Sequence, residues 1–500
     1  MWKEGDDIVF EDQLIKLSDY IIENDLYNIY SCTLFDDFIG MPYEKEDLIQ
    51  TSCGAGKMIA LSPTGDLYPC MRYYDYSLNH KKGYIIGNVD DGIDMDKIRV
   101  FETVMYQYQS DKECLECPVA QGCGFCQGFN YDEADTETNF QRTKYICKMH
   151  KARVRANQYY FNKLYHKKNI CRERPMKYKR EMLFLLSDDF VSMCSYRNQC
   201  TGKSMMSDAV LQDGLHFAFR NFFRPILVYG DNDIKIQTCF EKYDILFILP
   251  ARRYIQELEH YEYCLVFDEE YREYIEQVPF QSNIIFNVDS KNISELSVKV
   301  IELLNRCNRL NLNILEYNSA FDLEMYENQL KKIANYIIGY YKETGIQKEI
   351  NVLTDILFMH EHEGCQAGSN LLAYAPDGKI YICPAFYAEE KSSVGDTEEG
   401  ILIGNQQLLT KEYMPLCNRC DTYQCENCKY INKKYTKEVN VSPAFQCKKA
   451  HIERKVSMKI QEELNDTWNF SNKLSDIIYN DPIYNLNLLG ELNGYYKEKC

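Results

Sequence analysis

Hydrophobic side chains near the start of the chain recur at helical spacing. Over residues 9–22, apolar residues return every three or four positions, which predicts one buried helical face. The positions on that face are Leu14, Leu17, Ile21 and Ile22. The apolar stretch from Tyr27 to Phe38 then predicts an extended segment. We therefore expect a helix followed by a strand.

The same helical pattern occurs a second time. FEDQLIKLSDYII from Phe10 matches YENQLKKIANYII from Tyr326, with seven of thirteen positions identical. A match of this length within one chain indicates an internal repeat.

Short apolar runs alternate with helical segments between the two copies. The expected strands are Met182–Leu186, Pro225–Tyr229, Tyr243–Pro250, Tyr263–Phe267, Ile284–Val288 and Leu312–Leu315, with helices near residues 207–220 and 293–307. Continuous apolar strands separated by helices are typical of a parallel sheet covered on both faces. We interpret residues 179–358 as an open or partly closed β/α barrel. The basic helical stretch 151–178 is expected to be a solvated connector.

Cysteines form two matching arrays at either end of this region. The first array is Cys53-x11-Gly65-x4-Cys70, then Cys114-x2-Cys117-x5-Cys123-x2-Cys126, then Cys147. The second array is Cys365-x12-Gly378-x4-Cys383, then Cys417-x2-Cys420-x4-Cys425-x2-Cys428, then Cys447. Their flanks also match: KMIALSPTGDLYPC with NLLAYAPDGKIYIC, GYIIGN from Gly83 with GILIGN from Gly400, and Cys147-x2-His150 with Cys447-x3-His451. Fourteen of the 22 cysteines therefore belong to two copies of one module.

Charge and composition indicate the cellular compartment of these thiols and exclude some classes of partner. The net charge of −18 opposes a phosphate backbone and argues against a nucleic-acid partner. The first residues form no secretory signal, and no apolar run approaches the roughly 20 residues of a membrane helix, so we expect a cytoplasmic protein without a membrane partner. In a reducing compartment, paired cysteine knuckles are metal or cluster ligands far more often than disulfides.

Ligand spacing favours iron–sulfur clusters over zinc, which stays the alternative. Structural zinc takes four ligands, usually from two knuckles a dozen or more residues apart. Here the two knuckles of each array are four or five residues apart, and three further cysteines lie at long range. Seven thiols are too many for one zinc ion and too few for two, whereas cubane clusters take thiolates from short runs plus a remote residue.

The array resembles the SPASM domain, the auxiliary-cluster extension of radical SAM enzymes that modify peptides. The resemblance implies up to two [4Fe-4S] clusters in each module. One cluster of each pair would take four thiolates: Cys114, Cys117, Cys123 and Cys147 in the first module, and Cys417, Cys420, Cys425 and Cys447 in the second. The other would take three: Cys53, Cys70 and Cys126, or Cys365, Cys383 and Cys428. The last knuckle departs from the family's usual C-x3-C, and Cys32 is a candidate fourth ligand for the first three-thiol cluster.

A wider resemblance covers most of the chain. Residues 1 to about 170 resemble the carboxy-terminal part of the radical SAM maturases that act on CXXX-repeat peptides, and the remainder resembles their companion maturase. The implied domains are the end of a truncated β/α domain (1–50), a first SPASM module (51–150), the connector, the degenerate barrel (179–358), a second module (359–455) and a helical tail (456–500). The implied role is ribosomal peptide maturation on a Cys-rich precursor peptide, in which the clusters relay electrons or bind the substrate thiolate. The alternative is a non-catalytic scaffold for a radical SAM maturase, with structural clusters or zinc.

The cysteine motif that holds the SAM-cleaving cluster in radical SAM enzymes is missing. The sequence contains no C-x3-C-x2-C triplet, and after the strand Met182–Leu186, where it is expected, only Cys194-x5-Cys200 occurs. We interpret these two cysteines as unligated and do not expect SAM to bind this chain. A partner radical SAM subunit or a missing amino-terminal barrel would generate the radical, which leaves open whether Met1 is the natural start.

The remaining candidates are weaker. His360-x-His362-x2-Cys365 has donor atoms for a separate metal site, although a flexible turn leading into the second module is the commoner explanation. Five cysteines have no partner at ligand spacing and are expected to be incidental thiols: Cys171, Cys239, Cys264, Cys307 and Cys500.

Overall fold

The computed structural model describes residues 2–50, 53–200, 202–231, 234–360, 364–390, 392–465 and 467–475. The chain divides into two compact units. The first consists of Met1–Arg180, Phe219–Phe223 and Thr238–Asp244, and the second of Glu181–Ala218, Arg224–Gln237 and Ile245–Cys500.

The first unit contains six helices and a small antiparallel sheet within its described residues. The helices are α1 (Asp6–Glu23), α2 (Met95–Thr103), α3 (Tyr106–Gln109), α4 (Lys112–Leu115), α5 (Gln127–Glu133) and α6 (Cys147–Lys168). The strands are β1 (Ala60–Leu61), β2 (Asp66–Tyr68), β3 (Gly87–Asn88) and β4 (Gly92–Ile93), hydrogen-bonded in that order.

Helices α1 and α6 pack against each other. Leu14 and Ile22 of α1 join Ala156, Tyr160 and Leu164 of α6 in one hydrophobic cluster, which confirms the predicted amphipathic helix. The prediction that the basic helix is solvated is wrong for α6, because ten of its 22 residues are buried. The buried residues include the polar side chains of His150, Arg155, Asn157 and Gln158 as well as apolar ones.

The extended segment predicted from Tyr27 to Phe38 is not a strand. It begins in a short 3-10 turn, Leu26–Asn28, and continues without regular structure. A strand requires a neighbouring strand for its backbone groups, and in the described part of this unit every strand belongs to the small module sheet.

The second unit is built on a nine-stranded sheet. Its strands are β5 (Arg180–Leu185), β6 (Phe223–Val228), β7 (Leu246–Pro250), β8 (Glu262–Phe267), β9 (Asn283–Asp289), β10 (Arg309–Leu315), β11 (Glu349–Ile350), β12 (Leu371–Tyr374) and β13 (Ile380–Tyr381). The order across the sheet is β11-β10-β9-β8-β7-β6-β5-β12-β13. A separate pair is formed by β14 (Gly395–Asp396) and β15 (Gly400–Ile401). The helices are α7 (Asp208–Arg220), α8 (Leu296–Leu304), α9 (Leu323–Thr344), α10 (Asn351–Phe358), α11 (Lys429–Thr436) and α12 (Ala444–Leu464).

The large parallel sheet follows from its apolar runs. Strands β5 to β10 lie where the hydrophobic pattern predicts them, and most of their residues are buried. The described sheet is open, since its outermost strands are β11 and β13. Between β6 and β9 the described connections contain short 3-10 turns rather than α-helices, so the alternation of strand and helix is less regular than predicted.

The second module repeats the first, with one correction to the register. The two hairpins match residue by residue, since Ala60 pairs with Tyr68 and Ala373 with Tyr381, and α9 packs against α12 as α1 does against α6. The predicted match of GYIIGN with GILIGN is wrong. Gly87 pairs with Ile93 as Gly395 pairs with Ile401, so IIGNVDDGI (85–93) corresponds to SVGDTEEGI (393–401). The short GxxxGN resemblance concealed a nine-residue displacement, because it matched Gly87 with Gly404 instead of Gly395.

The described residues of the predicted carboxy-terminal tail are helical up to Leu464. Helix α12 crosses the predicted boundary at residue 455 without a break and ends at Leu464. Residues 467–475 carry no helix, and the rest of the predicted tail lies outside the described residues. None of the described helices combines the length and apolar character needed to cross a bilayer.

Candidate metal centres

The first module gathers four thiols that we call the first four-thiol set: Cys114, Cys117, Cys123 and Cys147. Cys114 lies in α4, whose first turn is capped by Asp111; the carboxylate accepts a hydrogen bond from Cys114 N at 3.0 Å. Cys147 begins α6. Burial raises the pKa of Cys147, and the thiolates of Cys123 and Cys117 raise it further. The pKa of Cys114 is raised to about 12, chiefly by burial, with Cys147 among its neighbours.

A cation that sequence analysis missed faces this set. The Arg142 guanidinium donates to Ser110 Oγ at 3.0 Å and lies 4.5 Å from the ring centre of Phe125. Its positive charge counteracts the burial that raises the pKa values of Cys114, Cys117 and Cys147. An arginine held beside several thiols favours their thiolate forms.

The first three-thiol set consists of Cys53, Cys70 and Cys126. Burial raises the pKa of Cys70, and the thiolates of Cys126 and Cys53 contribute. Buried Tyr73 lies beside all three: its pKa is raised first by burial and then by these thiolates. Its hydroxyl donates to Asn139 Oδ1 at 2.5 Å, which fixes the ring against the set.

The second module repeats the four-thiol arrangement. Its four-thiol set is Cys417, Cys420, Cys425 and Cys447. Burial raises the pKa of Cys417 to about 12, with contributions from Cys447 and Cys420. Burial also raises the pKa of Cys425, and the other three thiolates add to that shift.

The second three-thiol set is Cys365, Cys383 and Cys428. Burial raises the pKa of Cys428, and the thiolates of Cys365 and Cys383 raise it further. The pKa of Cys383 is raised to about 12 by burial and by Cys365. These three residues form no disulfide. Within each predicted set the thiols influence one another's pKa values, and their division between clusters and their role as ligands stay predictions.

The part of the chain that the structure describes shows no single-ion site by itself. Among the described residues, no three His, Cys, Asp or Glu side chains are grouped so that they could hold one metal ion. Binding of a cluster by the thiol sets stays a prediction from the number and spacing of the cysteines.

In each module a buried histidine contacts the residue two positions after the second cysteine of the first knuckle. His150 Nε2 donates to Val119 O at 2.6 Å, and His451 Nε2 lies 3.1 Å from Thr422 Oγ1. Val119 and Thr422 each follow the second cysteine of the first knuckle by two residues. Burial lowers the pKa of both histidines to about 4, so both are neutral at pH 7.

Other sequence candidates lie elsewhere. Cys32 packs in the hydrophobic cluster of Phe35 and Tyr160 rather than in the cluster that contains Cys70. Cys171 is exposed, and Cys264 and Cys307 are buried. The structure describes Cys239 as half-buried, whereas His362 and Cys500 lie outside the described residues. One cysteine interpreted as unligated, Cys194, lies against the second three-thiol set.

Comparison of the sequence with models of known protein families finds no match, and comparison with curated proteins finds none. Several solved structures resemble part of the chain. The structure described as native anSMEcpe with bound AdoMet and Cp18Cys peptide has a TM-score of 0.42 and 14% identity, covering 58% of this chain and 99% of that one. Streptococcus suis SuiB bound to S-adenosylmethionine has a TM-score of 0.37 and 14% identity, covering 60% of this chain and 82% of that one. SuiB bound to the precursor peptide SuiA has a TM-score of 0.35 and 13% identity, with coverage of 62% and 83%.

Proposed function

We propose that this chain is an iron–sulfur protein of ribosomal peptide maturation, which holds up to two [4Fe-4S] clusters in each module and does not cleave SAM by itself. The observation that supports the proposal is the repeated seven-cysteine array, whose thiols influence one another's pKa values within each predicted set. Its peptide partner and its radical-generating partner come from the resemblance to SPASM-containing maturases.

The donor chemistry of these sets fits a cluster. Thiolates are the ligands of [4Fe-4S] clusters, and Cys70, Cys114, Cys117 and Cys425 are gathered with their neighbours without forming disulfides. A bound cluster would supply single-electron transfer, tuned by the hydrogen bonds and burial around its sulfurs. In the first module Arg142 would balance the negative charge of the four thiolates.

Buried residues cover part of these sites. Tyr73 and His150 are nearly fully buried, as is Cys70, whereas most of the other array thiols of the first module are half-buried. Solvent access at a cluster would influence its reduction potential.

Metal and sulfide content test the cluster proposal. We expect anaerobically purified protein to be brown, to absorb broadly near about 400 nm and to carry up to about sixteen irons with equal sulfide. Cys117→Ser and its counterpart Cys420→Ser should each lower iron by about four per chain, whereas Cys171→Ser, at an exposed thiol, should change nothing. Stoichiometric zinc without sulfide would instead indicate the scaffold alternative.

Incubation with SAM and a strong reductant tests the enzymatic part. Because the sequence lacks C-x3-C-x2-C, we expect no 5′-deoxyadenosine from the isolated chain. Its appearance would contradict the proposal. Peptide binding is tested with a synthetic peptide carrying cysteine at every fourth position, and with the same peptide carrying serine as the matched control. Equal binding of both peptides would argue against a substrate thiolate.

A further inference from the structure

The loop after strand β5 crosses the carboxyl edge of the large sheet. Asn287, within β9, donates to Ser192 O at 2.6 Å, and Glu316 N, just after β10, donates to Ser195 O at 2.9 Å. Near the loop's start, Val191 N donates to Tyr229 O at 2.9 Å. Three strands therefore hold residues 191–195 in place, at the edge where parallel α/β sheets position functional groups.

The same loop is bonded to the second module at two points. Ser195 Oγ donates to Glu426 Oε2 at 3.0 Å, and Glu426 O accepts from Cys365 N at 2.6 Å. At the other point, Tyr387 Oη donates to Asp188 Oδ1 at 2.5 Å.

Each of these contacts reaches a residue close to a member of the second three-thiol set. Glu426 precedes Cys428 by two residues, and Tyr387 follows Cys383 by four. Glu426 therefore bridges the two segments, because its side chain accepts from Ser195 and its backbone carbonyl accepts from Cys365 N. Cys194 is thereby held beside all three members of the set.

The surroundings of the Cys194 thiol agree with this placement. Burial raises its pKa well above the ordinary value, and the other contributions come from Glu426, Cys365, Cys428 and Cys383. Cys194 forms no disulfide. The adjacent Tyr196 ring packs edge-on against the Tyr430 ring, with 6.3 Å between the ring centres.

We propose that Cys194 is the fourth thiolate ligand of an iron–sulfur cluster held by Cys365, Cys383 and Cys428. The inference rests on the proposed function, because it presupposes that the array binds clusters. It assigns a role to the loop that sequence analysis interpreted as unligated. A cluster with four thiolates has no iron left for an added ligand, so this site would relay electrons or stabilise the fold rather than bind substrate.

Variants in one loop test the assignment in the full chain. Cys194→Ala and Cys194→Ser are compared with the control Cys200→Ser. Cys200 lies in the same loop, and its thiol lies near Tyr387. We expect Cys194→Ala to lose up to about four irons, or to keep a cluster that converts to a three-iron form on mild oxidation and gives a new paramagnetic signal. Cys194→Ser should shift the reduction potential of one cluster, and Cys200→Ser should match wild type.

The outcomes separate this inference from the proposed function. Wild-type protein without iron and sulfide would overturn both. Wild-type protein with clusters, together with a Cys194→Ala variant of unchanged iron content, potential and paramagnetic spectrum, would overturn the Cys194 assignment alone.

A measurement on wild-type protein covers the case in which the variants fail to fold. Iodoacetamide is added anaerobically before and after a chelator has removed iron, and the alkylated cysteines are identified by mass spectrometry. We expect Cys194 to be protected only while iron is bound, and exposed Cys171 to react in both states. Alkylation of Cys194 in the loaded protein would argue against ligation.

Discussion

Arg155 donates two hydrogen bonds to one carboxylate oxygen of Glu11, from Nε at 2.8 Å and from Nη2 at 2.5 Å. Only 4% of the arginine side chain and 11% of the glutamate side chain are exposed. The pair joins α1 to α6 within the first unit. In the second unit the matching glutamate, Glu327, pairs at 2.9 Å with Lys455, whose side chain is 65% exposed. The repeat thus places one ion pair in two environments.

We expect Glu11→Gln to destabilise its unit far more than Glu327→Gln. Removing one partner of a buried pair leaves an uncompensated charge and typically costs about 3–5 kcal/mol, whereas exposed pairs contribute about 0–1 kcal/mol. Hydrogen exchange of peptides from α1 and α9 measures both units in one sample. Exchange in α1 should rise by about a hundredfold or more, at about 1.4 kcal/mol per tenfold. Equal effects at the two sites would contradict the difference in burial.

His150 should make unfolding depend on pH between about 4 and 6.5. Burial lowers its folded pKa to about 4, while an unfolded histidine titrates near 6.5. In that window the unfolded chain binds the extra proton, so the free energy of unfolding falls as the pH falls, by up to about 1.4 kcal/mol per pH unit. His150→Gln keeps a donor for Val119 O and should remove this slope.

Urea unfolding of the anaerobic protein at pH 7 and pH 5.5 measures the effect. His80→Gln is the control, because the His80 side chain is 63% exposed. Iron content is measured at both pH values for each variant, so that cluster loss is separated from titration of the imidazole. An identical pH dependence in wild type and His150→Gln would show that the buried imidazole does not cause it.

Local pattern predicted the elements of this protein better than it predicted their contacts. The apolar runs located β5 to β10, and the 13-residue match located α1 and α9, because periodicity and burial are properties of short segments. The membership of the thiol sets stays a prediction from spacing and resemblance. The placement of Cys194 was not predictable from the sequence, because it depends on a loop that Asn287 and Glu316 hold across the sheet from more than ninety residues away.

The same limit explains two wrong predictions. The sequence predicted a solvated helix for α6 because its lysines and arginines are numerous. Arg155 is buried instead, because it pairs with Glu11, 144 residues away in the chain. The displaced match at Gly400 arose because two glycine-containing hexapeptides are similar, and only strand pairing shows that Gly92 and Gly400 are equivalent.

Cys32 should not be a cluster ligand. It packs with Phe35 and Tyr160, whereas Cys70 lies among the first three-thiol set. We therefore expect Cys32→Ser to retain the iron and sulfide of wild type and Cys70→Ser to lose iron, with both contents measured per chain after anaerobic purification. Iron loss in Cys32→Ser at unchanged helix content would restore Cys32 as a candidate ligand.

Gly87 and Gly395 should be the least replaceable glycines of the two modules. Their φ angles are +149° and +137°, and an added Cβ would lie 2.0 Å from Gly92 O and 1.9 Å from Gly400 O. That contact is with the backbone of the paired strand, so it cannot be relieved by a side-chain rotation.

Gly92 and Gly400 also have positive φ, at +82°, but no atom lies within 4 Å of an added Cβ. We expect Gly92→Ala and Gly400→Ala to cost about 1–2 kcal/mol from backbone strain alone. Gly87→Ala and Gly395→Ala should cost more and should separate the paired strands, which hydrogen exchange of residues 85–93 and 393–401 would detect. If all four variants exchanged at the same rate, the close strand approach in both modules would be wrong.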